Sequence, residues 1–179
     1  MSNSDRAQQE VYLRPGDFYF GDQRVRIRTL LGSCVSITLW HPQRLIGGMC
    51  HYMLPGDGRV AAERLDGRYA PDALALFSRE LQRNSCLPCD FDVKLFGGGR
   101  MFMSGNGMDF GLLDVGIRNI DAGRQLLHRH GFAIKAEHLA GDGHRTLVFD
   151  IATGDVWVRH CNEVALSAEK SKHDRGRRS

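Results

Sequence analysis

The chain has 179 residues, of which 42% are hydrophobic and 25% charged, with a formal net charge of +3. That is enough for one domain with its own core, and it is ordinary for a globular protein rather than a disordered or fibrous one. The charge excess lies in Ser167–Ser179, where Lys170, Lys172, Arg175, Arg177 and Arg178 outnumber Glu169 and Asp174. The remainder is balanced and lacks the basic footprint of a nucleic-acid binder. No apolar run approaches the roughly 20 residues needed to cross a bilayer, so no membrane insertion is expected. Met1–Glu10 is too polar for a secretory signal, and five cysteines, an odd number, argue against a disulfide framework. A cytoplasmic protein with reduced thiols is expected.

In chain order, residues 1–11 read as a flexible start, 12–166 as the folded domain and 167–179 as a basic disordered tail. Val25 and Ile27 begin a strand that runs towards Leu31. Val35–Trp40 and Leu45–Met53 are apolar, β-rich runs around the turn-like His41-Pro42-Gln43-Arg44, a hairpin pattern. A loop centred between Pro42 and Gln43 sets Cys34 directly opposite His51. Val35, Ile37, Leu39, Ile46, Gly48 and Cys50 then form an apolar face. Cys34, Ser36, Thr38, Gly47, Met49 and His51 form a more polar one. Pro55–Arg59 is a loop, and Pro71 suits the first turn of a helix whose stripe is Leu74, Phe77 and Leu81. Phe91, Val93 and Leu95 alternate as a strand that ends at Gly97-Gly98-Gly99. A Gly-rich loop to Asp114 leads to a second helix through Ile117, Ile120 and Leu127, stopped by Gly131. Thr146–Ile151 and Asp155–His160 make a last hairpin around Ala152-Thr153-Gly154. Two helices among mostly hairpin-connected strands give an α+β domain with helices covering a sheet.

The chemistry concentrates at Cys34 and His51. Directly opposed residues have Cβ atoms roughly 4.5–5.5 Å apart, close enough for a thiol to pass its proton to an imidazole. Gly32 and Ser33 allow a tight turn whose N–H groups can face a tetrahedral oxyanion. Cys86-Leu-Pro-Cys89 has the form of a redox or zinc half-site, but it follows a helix instead of opening one. No second CxxC completes it, and Cys161 is the only other cysteine candidate. It reads as a loop with two packed thiols, and no metal site is expected, since HExxH is absent and His128 and His130 point to different sides of their helix. Gly97–Gly99 matches no nucleotide fingerprint and reads as a close approach of the backbone to a neighbour or a substrate. Met49, Met53, Met101 and Met103 suit either a core or an apolar docking surface.

Leu-Gly-Ser-Cys-Val (31–35), Ile-Gly-Gly-Met-Cys-His-Tyr-Met-Leu-Pro (46–55), Gly67-Arg68-Tyr69-Ala70, Lys94–Phe102, Val115–Ile120 and the Phe149–Arg159 hairpin together resemble the chemoreceptor glutamine deamidase CheD family. The resemblance covers about residues 12 to 161 in order. It implies a layered sandwich of two β layers and one helical layer, akin to deamidating toxin domains. It implies a Cys nucleophile at Cys34 and a His base at His51. The family's third catalytic member is a Thr six residues before the Cys; that position here is Arg28, with Thr29 beside it. Strand alternation puts Arg28 on the parity of Cys34 unless Gly32 breaks it, whereas hydroxyl chemistry favours Thr29. Ile117 stands where relatives often carry Glu, and Ala140-Gly141-Asp142-Gly143 is a looser form of the late Gly-rich segment. The implied reaction converts Gln to Glu on methyl-accepting chemotaxis receptors, with receptor glutamyl methyl esters as a second ester-type substrate. It needs no cofactor, and the phosphatase CheC is the implied regulatory partner. Two other readings use the same residues: a cysteine peptidase, and a non-catalytic receptor- or CheC-binding adaptor suggested by Arg28.

Overall fold

Alternation decides how the first long strand sits. Val25, Ile27, Thr29 and Leu31 are buried, while Arg26, Arg28 and Leu30 are not. One face of that strand therefore lies in a core and the other looks outward. The computed structural model describes residues 8–56, 64–100 and 110–161. Its elements are β1 (Gln9–Leu13), β2 (Phe18–Asp22), β3 (Val25–Leu31), β4 (Val35–His41), β5 (Ile46–Cys50), α1 (Ala70–Arg83), a 3-10 turn at Pro88–Asp90, β6 (Asp92–Gly97), α2 (Phe110–Arg129), β7 (Ile134–Leu139), β8 (His144–Asp150) and β9 (Val156–Cys161).

The strands form two sheets, β1-β3-β8-β9 and β2-β5-β4-β6-β7. Ile27, Leu31, Leu147 and Phe149 of the first sheet pack against Met49 and Phe96 of the second, which makes the inter-sheet core. The opposite face of the second sheet carries Val35, Ile37, Leu39, Cys50, Val93 and Leu95. These pack on Leu74, Phe77 and Leu81 of α1 and on Ile120 and Leu127 of α2. The result is sheet, sheet, helices: the α+β sandwich of two β layers and one helical layer that was expected. Phe77 is fully buried and meets Phe18 edge-on at 4.9 Å, so each large side chain in this layer contributes about 1.5–3 kcal/mol of burial.

The hairpin forms with a different register. Thr38 pairs with Met49, Leu39 with Gly48, Trp40 with Gly47 and His41 with Ile46, and an isolated bridge joins Val35 to Tyr52. The loop is Pro42–Leu45, four residues like the expected His41–Arg44 turn but moved one residue along the chain. Leu45 takes a left-handed φ of 50° and its N–H donates to His41 O at 2.9 Å. The pairing thus slides by two residues, and Ser36, not Cys34, falls opposite His51. A shift of two keeps every side chain on its face, so the predicted division of the faces survives.

Three strands carry no clear sequence signal. β1 begins at Gln9, inside the stretch read as flexible, because four of its five residues remain at least partly exposed while it pairs in parallel with β3. β2 is half-buried throughout, and β7 is an edge strand with only its ends partly covered. Helix α2 also starts earlier than the Gly-rich loop suggested. The segments 1–7, 57–63, 101–109 and 162–179 lie outside the described residues, so the tail, most of the Pro55–Arg59 loop, and Met101 and Met103 are not placed.

Candidate active site

His51 follows β5 and is 2% exposed. Its backbone is fixed by the β1–β2 connection: the His51 N–H donates to Asp17 O at 3.0 Å, and the Gly16 N–H donates to His51 O at 2.7 Å. Its ring reaches across the inter-sheet space. His51 Nδ1 lies 2.8 Å from Thr29 Oγ1, and Thr29 Oγ1 donates to Leu13 O at 2.8 Å. A hydroxyl has one proton to give. With that proton on the Leu13 carbonyl, the Thr29 oxygen can only accept from His51, so Nδ1 carries the hydrogen and Nε2 holds the lone pair. Nε2 is buried and has no hydrogen-bond partner among the described residues.

Cys34 sits where the chain leaves the first sheet and enters the second. It is half-buried and packs against the inter-sheet core. Three carbonyls pin this turn: Gly32 O accepts from Gly99 N at 2.8 Å, Cys34 O from Gly98 N at 2.8 Å, and Ser33 O from Asn119 Nδ2 at 3.2 Å. Across each planar peptide the next N–H points the opposite way, so the Ser33 and Cys34 N–H groups face away from these anchors. Val35 and Tyr52 exchange two 3.0 Å hydrogen bonds immediately after Cys34 and His51. Cys34 and His51 are thus the residues that immediately precede this bridged pair.

The glycine run behaves as its sequence suggested. Gly97 has φ 118°, and a Cβ there would strike the Cys34 carbonyl and lie 2.9 Å from Val35 Cα. Gly97→Ala is therefore expected to cost about 1–3 kcal/mol through backbone strain alone. Activity should fall further than the lost stability explains, because the clash pushes on the Cys34 peptide. Urea denaturation and turnover measured on the same sample separate the two effects.

Burial sets the charge state of the pair. It pushes the His51 ring from its ordinary 6.5 down to about 4, outweighing the Leu13 carbonyl and the Asp17 charge. It pushes the Cys34 thiol up, partly offset by that residue's own N–H. Near pH 7 the two groups are a neutral thiol and a neutral imidazole, not a preformed ion pair.

Of the residues singled out in the sequence, Thr29 and His51 touch, Cys34 precedes the Val35–Tyr52 bridge that follows His51, and Gly32 and Ser33 form the turn before it. Arg28 does not join: it is exposed on the outer face of the first sheet, 3.0 Å from Glu10. Strand parity misleads here because β3 and β4 belong to different sheets, and alternation does not carry across the Gly32–Cys34 crossing. Cys86 and Cys89 lie elsewhere, and the expectation of two packed thiols fails, since Cys89 is exposed.

Two buried polar residues near these segments, Asn119 and Ser36, were not singled out as functional in the sequence. Asn119 is fully buried in α2; its Nδ2 holds both Ser33 O and Met53 O, at 3.2 and 3.0 Å. It thus clamps the segments that carry Cys34 and His51. An amide on the apolar stripe of a helix, one residue before Ile120, was the available signal. Ser36 is fully buried opposite His51, and its Oγ has no partner among the described residues.

A family model described as CheD chemotactic sensory transduction matches residues 53–160. The chain is 46% identical over 158 residues to the probable chemoreceptor glutamine deamidase CheD 3 of Dechloromonas aromatica, covering 88% of this chain and 91% of that one. It is 44% identical over 167 residues to the probable chemoreceptor glutamine deamidase CheD of Pseudomonas savastanoi pv. phaseolicola, covering 93% of each. It is 50% identical over 151 residues to the corresponding protein of Pseudomonas fluorescens, covering 84% of each. The family model's match begins just after His51, so these longer alignments are what extend the similarity across the Cys34–His51 hairpin.

Proposed function

This chain belongs to the CheD family, and on that premise we propose that it deamidates glutamine side chains of chemoreceptors, with Cys34 as nucleophile, His51 as base and Thr29 as the residue that orients His51. The observation that carries the mechanism is the Leu13–Thr29–His51 chain of hydrogen bonds, which leaves a bare, buried Nε2.

The reaction starts from the neutral pair. His51 Nε2 takes the Cys34 proton as Sγ attacks the carboxamide carbon. The carbonyl π electrons move to oxygen, where the Ser33 and Cys34 N–H groups receive the charge. The imidazolium then gives its proton to the amide nitrogen, the C–N bond breaks and ammonia leaves. A thioester to Cys34 remains. Water, deprotonated by Nε2, adds to it, the C–S bond breaks, and the proton returns to sulfur. The products are Glu and the free thiol, and neither step draws on a metal or organic cofactor. An ester in place of the amide follows the same path with an alcohol as leaving group, which extends the reading to glutamyl methyl esters of receptors.

The reading makes receptors the substrate and keeps CheC as a regulatory partner. The adaptor alternative drew on Arg28 in the third position; with Thr29 hydrogen-bonded to His51, that ground is gone. The direct test is ammonia release. A purified receptor cytoplasmic fragment should release ammonia in step with enzyme turnover, and a fragment that releases none would overturn the proposal.

The pH dependence follows from the burial of His51. The base works only when neutral, so kcat/KM should be level through neutral pH and fall on the acid side near 4, not near 6.5. Stability needs a parallel reading. As pH drops below 6.5 the unfolded chain takes up a proton that the folded chain refuses until about 4, so stability is lost through that window. Far-UV circular dichroism at each pH distinguishes the kinetic limb from unfolding. An acid limb near 6.5 with the fold intact would mean that His51 is solvated in the working enzyme.

A further inference from the structure

Far from Cys34, the Cys86-Leu-Pro-Cys89 half-site gains partners that the sequence keeps distant. His41 ends β4, and Cys86 and Asp90 lie in the connection between α1 and β6. One ligand-type atom from each falls within 4.8 Å of the others. We propose that His41, Cys86 and Asp90 bind a divalent cation of the zinc type and so fasten the α1–β6 connection to the β4–β5 hairpin.

The donor set selects the class of ion. Thiolate, imidazole and carboxylate together suit zinc or cobalt, whereas magnesium and calcium take oxygen ligands alone. Zinc bonds of about 2.0–2.3 Å in a tetrahedron bring ligand atoms within about 4 Å of one another, so a shift of about 1 Å closes the site.

The groups are also held in place. His41 is buried and stands edge-on to Phe91 at 5.2 Å. Cys86 Sγ accepts from Arg44 Nη1 at 2.9 Å, a bond that can persist on a metal-bound sulfur. One Asp90 oxygen accepts the Leu87 N–H at 2.7 Å, which orients the carboxylate. The Arg44 N–H reaches His41 Nδ1 only at 3.3 Å, and this long contact is the one that gives way when the ring becomes a ligand. β4 separates the cluster from Cys34 by about 23 Å at 3.3 Å per residue, so the ion holds structure and takes no part in the deamidation.

The test uses the full chain, reduced and stripped with EDTA, titrated with cobalt(II) alone. The expected result is one cobalt per chain, with a thiolate-to-cobalt absorption band and the intense visible bands of tetrahedral geometry. Zinc should bleach both. Cys86→Ser and His41→Ala should each weaken binding by more than the roughly 10- to 100-fold that losing an outer partner costs. Cys161→Ser should leave it unchanged. Cys86 is part-exposed, so its serine variant should fold, and circular dichroism verifies that. Absence of the thiolate band with cobalt in excess, or a band that survives Cys86→Ser, overturns the site.

Discussion

Cys34→Ser should fold as the wild type does and deamidate nothing measurable. The substituted atom is the proposed nucleophile, and a hydroxyl beside a neutral imidazole is a far poorer nucleophile than a thiol in the same place. In hydrolases built on a nucleophile and a base, removing the nucleophile alone costs on the order of 10⁶ in kcat. The change is small in volume at a half-buried position whose backbone is held by Gly98, Gly99 and Asn119 through the carbonyls of the turn. Melting temperature should therefore move little while turnover vanishes. Full turnover in Cys34→Ser, measured as ammonia release, would remove the nucleophile from the account.

The second large effect is expected at His51. His51→Gln keeps much of the volume and still reaches Thr29, but it has no basic nitrogen. General-base catalysis is worth roughly 10²–10⁴, and the variant should lose about that much near pH 7. Its pH profile should also change shape. Without a base, the reaction depends on thiolate already present, and burial holds the Cys34 thiol above its ordinary range. The rate of His51→Gln should therefore climb steadily through alkaline pH, while the wild type stays level. Parallel profiles would mean that His51 supports the site without taking the proton. Thr29→Val, which keeps the shape and removes only the hydroxyl, should lose less, roughly tenfold to a thousandfold, each tenfold being about 1.4 kcal/mol of barrier. Arg28→Ala should leave turnover nearly intact, because Arg28 lies on the outer face beside Glu10.

The residues explain what the sequence could and could not disclose. The two faces of the hairpin strands were legible because the alternating pattern fixes faces, and faces survive a slip of two residues. Their register was not legible: it depends on Leu45 adopting a left-handed φ, which a leucine seldom does and no pattern announces. Thr29 could be chosen on chemistry but not on geometry. Alternation within β3 is strict, yet it says nothing about a strand of another sheet. Asn119 and the His41–Cys86–Asp90 group were hidden for a different reason. Each depends on contacts between segments far apart in the chain, and only the packing of α2 or of the α1–β6 connection brings them together. The layers were readable from the stripe Leu74, Phe77 and Leu81 and from the apolar alternation of β4 and β6. β1, β2 and β7 were not, because edge strands with half-exposed residues have no such alternation.

One measurement bears most directly on the claim that this chain is a glutamine deamidase acting through Cys34. A receptor cytoplasmic fragment is incubated with wild type and with Cys34→Ala, then digested and sequenced by mass spectrometry. The predicted result is the mass gain of NH₂ replaced by OH at particular Gln residues, with the backbone uncut, in the wild-type sample only. New chain ends in place of that gain would make the protein a cysteine peptidase. A fragment left unchanged by the wild type, or converted equally by Cys34→Ala, would contradict the account.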